Sequence, residues 1–270
     1  MIDKKTTTFL LVMVIALALS AVAVCSVEPA TPTITYVTNS TVGGVGGAND
    51  THHRGYIHYV DIDASSPTQK WKAYVGNISG EYSLADASGN AIYDWSIATI
   101  TGEIYATKEA PSGGSGRYAG GIPTWSAIQC ANSTMMTDEE SLFNHTAAED
   151  DSYSNTFLNG NNFNLTTFYA GQQQVTDTSV IGGVGDCYGA YLMVNNTDQT
   201  TDWEEVVLTD GTYEDEGSGD LDYDIIYAAL LENNAYGFDS VPYDFQMLLP
   251  ESGLEGSQTP TTYYFYIELI

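Results

Sequence analysis

Side-chain alternation at a period of two constrains this chain more than any other feature. Trp71, Ala73 and Val75 alternate with Lys70, Lys72 and Tyr74, the pattern of a strand with one apolar and one amphipathic face. Tyr82 and Leu84 continue it after a Gly-flanked bend. The run Asp86-Ala87-Ser88-Gly89-Asn90 supplies turn chemistry, with Gly89 and Asn90 both tolerant of positive φ. Residues 92–97 and 103–107 are the next strands, so the stretch predicts a β-meander. At the other end, Tyr263, Phe265, Ile267 and Leu269 alternate with Tyr264, Tyr266, Glu268 and Ile270. Both faces are largely apolar or aromatic, which places this strand inside a sheet or under a cover. Trp71, Val75, Phe265 and Ile267 are the expected core residues.

Other segments fit the same picture. TITYVT (33–38), GYIHYVDI (55–62), CYGAYLMV, WEEVVLTD and YDFQMLLP have strand composition. DYDIIYAALLE fits either a buried strand or two to three turns of helix. Residues 110–164 differ. PSGGSG is a loop, TWSAIQCA suits one or two helical turns, and Thr137-Asp138-Glu139-Glu140 is a capping-box signature opening a short helix. The segment reads as a helical and loop excursion on the surface of the β domain. Many strands and few helices predict a mainly β chain, an antiparallel β-sandwich with that excursion.

Residues 1–26 have the layout of a secretory signal: Lys4 and Lys5, an apolar run over residues 8–24, then small residues. A retained membrane helix is the competing reading, because the run is nearly long enough to span a bilayer. Cleavage after Ala23 would leave Cys25, Cys130 and Cys187, whereas cleavage after Ser26 leaves a pair. The second cut is preferred. Lipid attachment at Cys25 is disfavoured by Val24, where a small residue is wanted. Residues 27–270 are then a single secreted domain with no membrane span, long enough to bury a sizeable core. An exported Cys130–Cys187 pair is expected to bond, with two buried free thiols as the alternative.

Charge excludes some partners. The chain has 35 acidic against 7 Lys and Arg residues, a net charge of −28. Nucleic acid is ruled out as a partner because phosphate binding needs clustered basic residues, and an anionic lipid surface would repel the chain. Solubility at high salt, cation binding or repulsion between crowded surface proteins remain as explanations. Acceptor triplets for N-glycosylation start at Asn39, Asn49, Asn77, Asn132, Asn144, Asn164 and Asn195. Chance placement of the chain's Asn, Ser and Thr would give about three. The excess marks exposed positions along most of the chain, and the alternative is an Asn- and Thr-rich surface without glycans.

Motifs for chemistry are sparse. Acids are densest from 210 to 224, and Asp220-x-Asp222-x-Asp224 resembles the first half of a calcium loop, but Ile225 stands at the turn glycine and Leu231 at the bidentate Glu. Calcium is the one candidate cofactor; a solvated acidic loop is the simpler reading. His52, His53 and His58 near a Gly-rich stretch would need a turn to converge on zinc or copper, and the remaining histidine is His145. No nucleophile elbow, H-E-x-x-H, P-loop, dinucleotide fingerprint or C-x-x-C-H occurs. A catalytic carboxylate pair would arise by accident among so many acids. No catalytic residue is assigned and an enzyme is not expected. Exposed aromatics in a β scaffold can stack on sugars, although strand core and cross-strand pairing are the commoner use.

Taken in order, WKAYVGNISG, DASGNAIYDW, GEIYAT, PTWSAIQC, SLFNHT, EEVVLTDG, PYDFQMLLPE and TTYYFYIEL resemble a group of uncharacterised secreted archaeal surface proteins. The resemblance touches most of residues 27–270 and departs in GGVGDCYGAY, around Cys187. It implies export and a β-rich body, with no activity, cofactor or catalytic residue to carry over. The expected function is a non-catalytic, glycosylated extracellular cell-surface protein, adhesive or part of an envelope layer. Its partners would be other surface proteins or glycans, with a homo-oligomer left open. The alternatives are a filament subunit whose strand at 34–37 adds to a neighbour's sheet, and a secreted carbohydrate-binding module or hydrolase.

Overall fold

The computed structural model describes residues 29–34, 68, 70–86, 88, 90–109, 121, 123–215, 221–252 and 261–270. The chain is mainly β with antiparallel sheets, and no sheet closes into a barrel among the described residues. In chain order the elements are β1 (Trp71–Gly76), β2 (Glu81–Ala85), β3 (Ala91–Ser96), β4 (Gly102–Thr107), β5 (Gln129–Cys130), α1 (Ser133–Leu142), α2 (Tyr153–Thr156), β6 (Phe168–Ala170), β7 (Gln173–Val175), β8 (Gly189–Tyr191), β9 (Glu204–Asp215), β10 (Leu221–Leu230), β11 (Ala235–Tyr236), β12 (Pro242–Tyr243), β13 (Phe245–Pro250) and β14 (Tyr264–Leu269). The central sheet runs β14-β4-β10-β9-β5, with β8 also paired to β9.

Both faces of this sheet are buried, which explains the uninterrupted apolar run of β10. Ile226 and Ala228 enter one core with Tyr105, Val206, Leu208 and Tyr266. Ile225, Tyr227 and Ala229 enter the other with Ile104, Ala106 and Val207. A strand covered on both sides has no polar face to alternate with, so the helix-or-strand ambiguity resolves to strand. The first face is covered by Trp125, Ile128, Phe163 and Leu165, with the β6–β7 hairpin contributing Phe168, Ala170 and Val175. The second is covered by Met135 and Met136 of α1, Tyr153 of α2, Phe157, and Met247 and Leu249 of β13. Each such side chain stabilises by about 1.5–3 kcal/mol on full burial. Opposite the central sheet stands the two-stranded β1–β13 ribbon, completed by the helices.

Three expectations are corrected here. In the described part of the excursion expected at 110–164, Trp125, Ile128, Met135, Tyr153, Phe157 and Phe163 are buried against the sheet and not on its surface, because a sheet with two apolar faces needs a second cover. The helix begins one turn before the capping-box residues. Asn132 Oδ1 accepts from the Thr134 and Met135 amides at 3.0 and 3.1 Å, while Thr137 lies within the helix, its hydroxyl donating to Ser133 O at 3.0 Å. The earlier start brings Met135 and Met136 onto the sheet; losing such a cap costs about 1 kcal/mol. Finally, the strands of the expected meander exist and β2 pairs with β3 as a hairpin, but the other partners lie far away in the chain. β1 pairs with β13 from Trp71↔Pro250 to Gly76↔Phe245, and β4 lies between β14 and β10. Alternation sets which face is apolar and leaves the partner to tertiary packing.

Of the expected core residues, Trp71 and Phe265 are half-buried against the second core, and Val75 and Ile267 are half-buried outside both clusters. The deeply buried residues of β14 are Tyr266 and Glu268. Gly102 opens β4 at φ 132, and a Cβ there would sit 2.0 Å from Glu268 O, so only glycine permits this approach of β4 to β14. On the outer edge of β14, Ala30 exchanges two backbone bonds with Ile267, at 2.9 and 2.8 Å. The N-terminal segment thus pairs within its own chain at Ala30. Ile34 is exposed, and residues 35–37 of the proposed donor strand lie outside the described residues, as does the strand expected at 55–62. No helix among the described residues is long and apolar enough to cross a membrane.

Candidate functional site

Cys130, on β5, and Cys187, before β8, form a disulfide with Cα atoms 5.3 Å apart, and both are fully buried in the first core. The bond closes a 57-residue separation, worth about 4 kcal/mol in the chain-entropy account.

Asn39 and Asn49 lie outside the described residues. Asn77, Asn144, Asn164 and Asn195 are exposed. Asn132 is half-buried and occupied as the α1 cap, with its Nδ2 3.4 Å from Ile181 O.

Of the three acids of the proposed calcium loop, two fall within the described residues, both on a strand. Asp222 and Asp224 belong to β10, and Asp224 is buried beside Ile225; Asp220 lies outside the described residues. The apolar run that fixes β10 draws these acids into the strand. The pairing with β9 shifts between Tyr223 and Ile225, opposite Gly211 at φ 81. Among the described residues no group of three or more His, Cys, Asp and Glu is placed to hold a metal ion. His52, His53 and His58 fall outside them. His145 is buried between Trp71 and Phe143. Its Nε2 lies 2.8 Å from Glu251 O, so that nitrogen carries the proton, and burial pushes the ring's pKa down.

Two buried polar groups were not expected from the sequence. The first ties α1 to the sheet. Lys108 Nζ lies 2.6 and 2.8 Å from the Glu139 carboxylate oxygens, with both side chains 2% exposed. Tyr227 donates to Glu139 Oε1 at 2.8 Å, and the Tyr153 hydroxyl is 3.2 Å from that of Tyr227. The second is a pair of carboxyls. Glu103 of β4 and Glu268 of β14 are direct cross-strand partners and both are buried, which places their Cβ atoms about 5 Å apart. Burial, and then the Glu268 charge, raises Glu103 to a pKa of about 8. The Gly171 amide donates to Glu268 Oε2 at 2.8 Å, while Glu103 Oε2 has no hydrogen-bond partner among the described residues. Burial beside a like charge penalises the ionised form, so Glu103 keeps its proton near neutrality. The available signal was a Glu in each of GEIYAT and YFYIEL, strands otherwise apolar on that face.

A third acid joins two sheets. Glu205 on β9 is fully buried, and its Oε2 accepts the Leu248 amide of β13 at 2.7 Å. Burial lifts its pKa well above the ordinary carboxyl value, with the Leu248 bond opposing.

On the outside, the β2–β3 ribbon pairs with no other strand among the described residues. Leu84, Ile92, Tyr93 and Trp95 are 52, 67, 58 and 49% exposed. Leu84 lies opposite Tyr93 in the ladder, and the Tyr93 and Trp95 rings meet edge to face at 4.6 Å. Its turn is fixed by Asp86, whose Oδ1 accepts the Ser88 and Asn90 amides at 2.8 and 2.9 Å. The ribbon carries Glu81, Asp86 and Asp94 and no Lys or Arg. No family model, curated protein or solved structure matches the chain.

Proposed function

We propose that this is a non-catalytic, N-glycosylated extracellular surface protein, adhesive or part of an envelope layer, related to the secreted archaeal group whose sequence blocks it resembles, with the β2–β3 ribbon as its contact surface. The ribbon carries the reading. A two-stranded ribbon is marginal in water, and this one spends its apolar side chains on solvent instead of either core, which is how interaction surfaces are built. The buried Cys130–Cys187 bond suits an oxidising compartment. The four exposed acceptor asparagines among the described residues suit a glycan coat. The Tyr93–Trp95 ring pair beside carboxylates also favours a second reading, a module that binds neutral glycans by stacking.

The test combines protease shaving of intact cells, peptide mapping without reductant, and a Tyr93→Ser/Trp95→Ser variant. The expected result is surface-accessible chain with the disulfide intact, and a variant that melts like the parent but adheres to cells or envelope at least tenfold more weakly. Reduced thiols in a cytoplasmic chain, or unchanged adhesion by the variant, would overturn the proposal. A glycan array separates sugar from protein as the partner.

A further inference from the structure

A second exposed apolar patch lies on the loop joining β11 to β12. Tyr236, Phe238 and Val241 belong to it, and Met193 is also exposed. A tight turn is clipped onto this loop. Val194 and Thr197 exchange backbone bonds at 3.0 and 2.9 Å, with Asn195 and Asn196 between them at φ 51 and 57, the two-residue hairpin geometry that Asn adopts readily. The Asn195 amide donates to Gly237 O at 2.9 Å and the Asn196 amide to Phe238 O at 3.0 Å. The Ser240 hydroxyl donates to Asn195 Oδ1. With Oδ1 held, the Asn195 carboxamide has a fixed orientation, and its Nδ2 has no hydrogen-bond partner among the described residues. Asn195 also heads an acceptor triplet completed by Thr197. Asn132, in contrast, is committed to its helix.

We infer that Asn195 carries an N-linked glycan whose first sugar lies on Phe238 and its neighbours, making this one glycan a structural part of the fold. The inference rests on the export and glycosylation proposed above. In the transfer, Asn195 Nδ2 attacks the anomeric carbon of a lipid-linked oligosaccharide. The N–C bond forms, the C–O bond to the polyprenyl phosphate or pyrophosphate breaks, and the Nδ2 proton leaves as that phosphate departs. The C–H face of a pyranose then covers the exposed part of Phe238, whose ring also stacks on Tyr243, an apolar contact of the kind aromatic rings make with sugars. A charged partner is not needed, and the sugar is delivered by the same chain.

The experiment uses the full chain exported from a host that glycosylates and, separately, from one that does not. Glycopeptide mapping reads occupancy at all seven triplets. Thr197→Ala removes the acceptor while leaving Asn195 and its Ser240 contact in place, Asn77→Gln removes an exposed acceptor elsewhere, and Phe238→Ala removes the platform. In glycosylated protein, Thr197→Ala should lower Tm by about 3 °C or more and Asn77→Gln by less than about 1 °C. Phe238→Ala should abolish the Thr197→Ala effect, which should also vanish in unglycosylated protein. An unmodified Asn195 beside occupied triplets elsewhere, or equal effects of Thr197→Ala and Asn77→Gln, overturns this inference alone. No modification at any triplet overturns the glycosylation reading as well.

Discussion

Glu103 shows how one buried side chain makes the fold sensitive to pH. Its pKa rises from the ordinary 4.5 to about 8 in the folded chain, through burial first and Glu268 second. Below 4.5 both folded and unfolded chains keep the proton and the group is neutral in its effect. Between 4.5 and 8 the unfolded chain releases a proton that the folded chain retains, so stability falls as pH rises through that window; above 8 the full penalty is in place. The difference is on the order of 5 kcal/mol. Glu103→Gln removes the charge at constant shape. Denaturant unfolding at pH 5 and pH 8 should therefore show a smaller loss of stability for the variant than for the parent, and equal slopes would refute the raised pKa of Glu103. At this scale the sequence is legible only where a residue violates its neighbourhood. Glu103 and Glu268 break apolar strand faces and can be flagged, but their pairing depends on the β4–β14 register, which alternation does not encode.

Among the elements, α1 is held by packing of Met135 and Met136 and by the Lys108–Glu139 pair. Removing one member of a buried ion pair strands the other charge, whereas replacing both with apolar groups of similar volume restores a neutral interior. Lys108→Met should cost about 3–5 kcal/mol in chemical denaturation, and Lys108→Met with Glu139→Leu should recover most of it. A double variant as weak as the single would show that Tyr227 and Tyr153 depend on the Glu139 carboxylate more than the pair depends on its charge. Strand existence was readable in β1, β4, β9, β13 and β14, because side-chain period is a local property. The cap at Asn132 was hidden by the stronger-looking Thr137-to-Glu140 signature. The burial of residues 123–164 was hidden because its apolar residues are scattered among turn formers, and only the two-faced central sheet gives them a place. The β2–β3 hairpin and its Asp86-to-Asn90 turn were readable too, but alternation alone does not say that its apolar side chains face solvent.

For the molecule as a whole, the two cores and the disulfide work against a net charge of −28. With 7 basic residues against 35 acidic ones, the few ion pairs cannot neutralise the surface; Lys70 with Glu149 and Asp151, and Lys72 with Glu251, fasten the β1–β13 ribbon and its neighbours locally. Compaction brings the remaining carboxylates closer than they are in the unfolded chain, so self-repulsion opposes folding. Salt shortens the screening length from about 10 Å at 0.1 M to about 3 Å at 1 M, which relieves repulsion between surface acids and leaves the buried groups almost untouched. Raising sodium chloride from 0.1 to 1 M at pH 7 should increase Tm by roughly 3–8 °C, corresponding to about 1–2 kcal/mol. Calcium at equal ionic strength separates screening from site binding. If the acids act only as a diffuse field, millimolar calcium adds no more than its ionic strength predicts. A saturable further rise at submillimolar calcium would place a specific cation site among them.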